Sequence, residues 1–212
     1  MTDNLNLIDL RIKPCAYVQD VIEGSFVKLI EGTEYSGGQH IYSFKVSGEN
    51  RIISLVNGDP EGATSLQSKA YGELSDINCK MLRPFETFAD ETLNVAKNLI
   101  DLKLKQQNQS TFGDKNLNNS YWMEINWEHA GITFNDMLKI VAEQTTHLFG
   151  LRKKGELIID HYKSVGADQS HSFLKAADGK SLDNLILNFP IVKKLGSQVK
   201  INLKKVHVLG NK

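Results

Sequence analysis

The first guide to this chain is what it has little of. Its two cysteines, Cys15 and Cys79, stand far apart and form no paired spacing. A disulfide scaffold or a Cys-x-x-Cys redox or zinc site is therefore not expected, and both thiols read as idle groups in a reducing compartment. The start of the chain, Met1 to Asn6, is polar and has none of the parts of a secretory signal. No stretch approaches the ~20 apolar residues that a membrane span requires, so membrane insertion is not expected and a cytoplasmic location is. Charge of one sign is also missing: 25 basic and 25 acidic residues cancel. That balance disfavours duplex DNA or an anionic bilayer as the main partner, because both are bound through clustered lysines and arginines.

Signature motifs are absent too. The sequence contains no GxGxxG, GxxxxGK[ST], HExxH or GxSxG. Gly37-Gly38 lies between two apolar runs and reads as a turn, since a phosphate cradle needs a helix directly after its glycines.

What remains is ordinary globular material, 41% hydrophobic and 24% charged. The charge is unevenly spread: residues 1–110 carry 11 basic and 15 acidic side chains, residues 111–212 carry 14 and 10. Compensation within one fold explains this most simply.

Local patterns suggest an α+β protein. Leu5–Ile12 reads as a short strand, and the β-branched run Val18–Ile30 as a strand pair or bulged strand. His40–Val46 and Arg51–Val56 flank the turn Ser47-Gly48-Glu49-Asn50 and make a hairpin, closed by Asn57-Gly58-Asp59-Pro60. Ala63–Met81 is ambiguous. Phe85–Lys105 carries an apolar stripe with acids early and lysines late, as a helix would. The amide-rich segment 106–120 cannot build a core and marks a linker. These readings divide the chain into 1–105, a β-rich α+β domain or subdomain, the linker 106–120, and a second α+β domain or subdomain, 121–212.

In the second half, Tyr121–Trp127 alternates as a strand. Thr133 is placed to cap a helix running to about Phe149, with Gly150 at its end. Glu156–Tyr162 reads as a strand, Val165–Ser181 as loop, Leu185–Val192 as an edge strand because of Pro190, and Val199–Leu203 with Val206 and Val208 as the last strand. One sheet covered by one main helix follows, preceded by an N-terminal antiparallel β unit and its helix.

No constellation points to chemistry. His147, His161 and His171, with Asp160 or Asp168, are the side chains that could assemble a dispersed hydrolase or transferase site, yet Asp160 and His161 as strand neighbours face opposite ways. No catalytic residue, cofactor or metal is expected. Both tryptophans fall within Tyr121–Trp127; Trp122, Trp127 and Tyr121 are candidate recognition aromatics, with one indole core and the other half-exposed. Lys200 and Lys204 head a basic C-terminal strand that suits edge protection or a partner surface. The resulting expectation is a non-enzymatic protein-interaction module, an adaptor or structural subunit with a protein partner in a larger assembly. Single-stranded nucleic-acid binding, with Tyr35, Tyr42 and Phe44 as stacking platforms, is the other alternative to the enzyme.

Overall fold

The computed structural model describes residues 4–101 and 119–209. Their order is β1 (Leu5–Ile12), α1 (Val18–Tyr35), β2 (Gln39–Val46), β3 (Arg51–Asn57), α2 (Pro60–Tyr71) and β4 (Ser75–Pro84). A short helix α3 (Phe85–Phe88) and a π-helical turn (Ala89–Leu93) follow, then β5 (Ser120–Trp127), α4 (Phe134–Lys153), β6 (Ile158–Ser164), β7 (Gln169–Lys175), α5 (Gly179–Leu187), α6 (Pro190–Leu195) and β8 (Val199–Leu209). The order βαββαβ thus occurs twice, the ferredoxin-like arrangement. Two compact units divide the chain: Met1–Leu82 with Val206–Lys212, and Arg83–Lys205. Within the first unit β3 pairs with β1 and β2, β1 with β4, and β2 with the end of β8, all antiparallel; within the second, β7 pairs antiparallel with β5 and β6.

In the first unit β1 is central, antiparallel to β3 from Leu5↔Asn57 to Arg11↔Arg51 and to β4 from Leu5↔Leu82 to Ile12↔Ser75. Helix α1 lays Val21 and Ile22 against Leu10, Ile12 and Ile52, while Leu29 meets Ile8, Val56 and Ala63. Its buried positions Val21, Ile22, Ser25, Leu29, Gly32 and Thr33 recur every three or four residues. Glycine lets α1 sit close to α2: a Cβ on Gly32 would lie 2.5 Å from the Ala63 carbonyl oxygen. Asp59 caps α2 by accepting from the amides of Glu61 (3.1 Å) and Gly62 (3.0 Å), and Pro60 occupies the first turn, where no N–H is needed.

The second unit packs α3, α4, α5 and α6 on one face of its strands. Phe85, Met123, Ile125, Trp127, Met137, Val141, Leu148, Phe149, Ile159, Leu174, Leu182 and Phe189 belong to its core. Thr133 caps α4 through Oγ1, which accepts from the Asp136 amide at 3.2 Å.

Several expectations are corrected. The chain is not an N-terminal β unit followed by a sheet with one covering helix; both halves carry the same βαββαβ order with two main helices. Val18–Ile30 is helix α1, because the 3.6-residue spacing of its buried side chains outweighs their β-branched character. The helix expected over Phe85–Lys105 ends as α3 and the π turn, where Asn94 adopts a left-handed φ of 52°. Val165–Ser181 contains strand β7, and Leu185–Val192 is not a strand but the end of α5 and start of α6, with Pro190 at a helix N-terminus. Gly150 lies inside α4. Most of the expected linker 106–120 falls outside the described residues. Among those described, no helix is long and apolar enough to cross a membrane.

Candidate functional site

In the second unit, α4, α5 and the adjoining ends of β6 and β7 line an open cavity of about 650 Å³, within the ~300–1,000 Å³ usual for small-molecule and cofactor sites. The turn after α4 forms part of its wall through Gly155, whose φ is 76°. Leu151, Leu157, Ile158 and Leu185 give it apolar surface, and Lys175, Ser181, Asn184 and Asn188 bring polar heads.

One imidazole lines it, that of His147 on α4. Its Nε2 is buried and has no hydrogen-bond partner among the described residues. Burial, then the charges of Lys193 and Lys154, lowers its pKa below the usual histidine value. Both effects disfavour the imidazolium, so at neutral pH the ring keeps a lone pair for a proton or a metal.

The other sequence candidates do not gather around it. His161 is fully buried on β6, stacked on Phe85 with ring centres 4.0 Å apart, and its Nδ1 lies 2.6 Å from Ser172 Oγ. Burial, the Arg152 charge and His171 depress its pKa to about 3, so it is neutral throughout the physiological range. His171 is held on β7, where its Nδ1 accepts from Trp122 Nε1 at 3.3 Å and its Nε2 lies 3.2 Å from Gln169 Oε1. Asp160 is paired in register with Phe173, and His161 with Ser172, on opposite faces of the sheet. Asp168 pairs with His129 at 3.2 Å. The dispersed site around His147, His161 and Asp160 is therefore not assembled. Among the described residues no cluster of three or more His, Cys, Asp or Glu could hold a metal ion.

Beside His161, the buried Glu86 of α3 accepts from Arg152 of α4 as an ion pair. Burial raises the Glu86 pKa and the Arg152 charge opposes that rise.

The aromatic candidates are also placed differently from expectation. Trp122 and Trp127 are both buried, at 1% and 5% exposure, so neither is half-exposed; Tyr121 packs against the core. Residues on both faces of β5 are buried, which alternation alone does not reveal. Lys200 is exposed and pairs with Glu128 at 3.2 Å, and Lys204 is half-buried. Of the supposed stacking platforms, Phe44 and Tyr42 are buried and pack edge-to-face at 5.0 Å, leaving only Tyr35 exposed. Phe44 and Tyr42 therefore present no open face for a base to stack on.

Sequence reasoning missed Lys175, Ser181, Asn184, Leu185 and Asn188 because it treated 165–181 as loop and 185–192 as strand. Leu182, Leu185 and Ile186 at helical spacing after Asp178, which caps α5 by accepting from the Ser181 amide at 2.7 Å, were the available signal.

No protein-family model and no curated protein matches the chain. Solved structures do. A mutant chlorite dismutase from Candidatus Nitrospira defluvii superposes with a TM-score of 0.54 at 11% identity, over 98% of this chain and 93% of that one. A protein described as a candidate chlorite dismutase gives 0.58 at 9% identity, over 96% and 95%. A candidate monooxygenase from Fusobacterium nucleatum subsp. nucleatum gives 0.55 at 9% identity. The fold is shared at whole-chain length with proteins described as enzymes, which overturns the expectation of a non-enzymatic adaptor or assembly subunit.

Proposed function

We propose that this chain is a haem-binding enzyme and that the cavity between α4 and α5 of its second unit is the cofactor site. The neighbours in fold point to a haem-binding enzyme family, and the observation that carries the reading in this chain is His147, whose side chain lines the cavity and whose buried Nε2 has no partner among the described residues.

The donor set suits that group. A neutral imidazole is a common protein ligand of haem iron, and His147 is the only histidine lining the cavity. Leu151, Leu157, Ile158 and Leu185 offer the apolar surface a porphyrin face requires. Lys175, Ser181, Asn184 and Asn188 offer a cation and hydrogen-bond donors for its carboxylates. Bound haem would supply one-electron and oxygen chemistry that amino-acid side chains lack.

The chain's own contribution is selection and placement. Burial, with the charges of Lys193 and Lys154, disfavours protonation of the His147 ring, and the buried Arg152–Glu86 pair ties α4 to α3 one turn further along. Titration of the purified protein with hemin, followed by visible absorption, tests the reading. A saturable one-to-one Soret shift is expected for wild type and for His161→Gln, with loss of the histidine-ligated spectrum in His147→Ala. An unchanged spectrum in His147→Ala, or no saturable binding by the wild type, overturns it.

A further inference from the structure

A second cavity, of about 270 Å³, lies in the same unit between the N-terminal half of α4, the π turn and the β6–β7 hairpin. Phe88, Trp127, Met137, Leu138 and Val141 line it, with Phe134 at 65% exposure. Among the described residues its one cationic group is Lys163 of β6, whose Nζ sits 5.9 Å from the centre of the Phe88 ring and 5.5 Å from that of Trp127. The ammonium donates to the carbonyl oxygens of Ser164 (2.9 Å) and Ala167. These two bonds leave one of its three N–H donors for a ligand.

The lysine also lacks a counter-charge at close range. Among the described residues no carboxylate lies within ion-pair distance of Nζ, and the Asp168 carboxylate at the cavity edge is engaged by His129. Burial lowers the Lys163 pKa; Asp168 partly offsets this, while the Arg83 charge adds to it. A half-buried cation held only by neutral carbonyls and aromatic faces gains most from an anion that brings its own apolar body.

We infer that this cavity is a binding site for a small apolar monocarboxylate, its carboxylate received by Lys163 and its hydrocarbon or ring seated between Phe88, Trp127 and Met137. The volume suits a ligand of benzoate or phenylpropanoate size and is too small for a porphyrin. The site therefore stands independently of the haem reading.

Titration calorimetry of the purified protein with benzoate and 3-phenylpropanoate, beside benzyl alcohol and benzylamine, tests it. Both carboxylates are expected to bind, and Lys163→Met is expected to weaken them about tenfold or more, the loss of one charge-assisted hydrogen bond, while the weak binding of benzyl alcohol is retained. Leu138→Trp, which fills the cavity, should abolish all binding. His147→Ala should change nothing here, which separates this site from the cofactor cavity. No carboxylate binding by wild type, equal binding by Lys163→Met, or a preference for benzylamine would each overturn the assignment.

Discussion

The two units share one order of elements and differ in how their helices meet. In the first, α1 packs mainly on α2, and Gly24 and Gly32 bring the helices so close that a Cβ on either would strike its neighbour, the Tyr71 hydroxyl at 2.1 Å or the Ala63 carbonyl at 2.5 Å. In the second, the corresponding helices α4 and α5 hold a cavity of about 650 Å³ between them, and α4 finds its partner in the added helix α6, where Gln144 Oε1 accepts from the Ile191 amide at 3.3 Å. The same topology thus packs its two helices directly on each other in one copy and leaves a cavity between them in the other. The difference lies in a few side chains at the helix interface, where two glycines permit contact and a set of leucines, amides and one histidine borders a void.

Substitution at the glycines breaks the comparison most strongly. Gly32→Leu should destabilise the protein by about 3 kcal/mol through overpacking against a backbone carbonyl that cannot rotate away, read as a lowered midpoint in chemical denaturation. A change under 0.5 kcal/mol would mean the helices are free to separate.

Acid sharpens it next. His161 in the second unit has its pKa held near 3 by burial, against 6.5 for a free histidine. A depressed folded pKa contributes stability that is present in full above about 6.5 and is lost as pH falls toward 3, because the unfolded chain takes up the proton first. Denaturation midpoints should therefore fall across that window, and fall less in His161→Gln. Parallel pH profiles for the two proteins would assign the acid sensitivity elsewhere. His40 in the first unit is also lowered by burial but sits 2.8 Å from Ser43 on a strand less deeply covered.

The smallest effect has the opposite sign. Gly150 of α4 meets nothing within 4 Å of an added Cβ, so Gly150→Ala should stabilise by about 0.5–1 kcal/mol through helix propensity alone. Loss of stability there would show that the second unit packs its glycines as the first does.

Legibility in the sequence followed the range of the interactions. Thr133 as a cap and β5 and β8 as strands rest on neighbours a few residues away, and those readings match the structure. The hairpin around Gly48, with its φ of 74°, is equally local. Helix α1 was misread because Val18, Val21, Ile22 and Val27 favour strands locally, while Leu29 and Ser25 are buried only by the sheet and α2. The repeat was invisible because it lives in the order of elements and not in matching residues. Of the candidate site, the sequence offers His147 only as one of three histidines in a dispersed alternative, and its cavity companions on β7 and α5 not at all, since they come within reach only when two helices settle on one sheet.

Composition, the absence of a paired cysteine framework, the turns and the caps were determined by the sequence alone, because each depends on the residue itself or on its near neighbours. Tertiary structure decided which strands pair within each unit, that both tryptophans are covered and that Asp160 and His161 do not share a pocket. It also decided that one imidazole is left unpaired beside a void. Burial and pairing at long sequence separation set those outcomes, and no single stretch of the chain contains them.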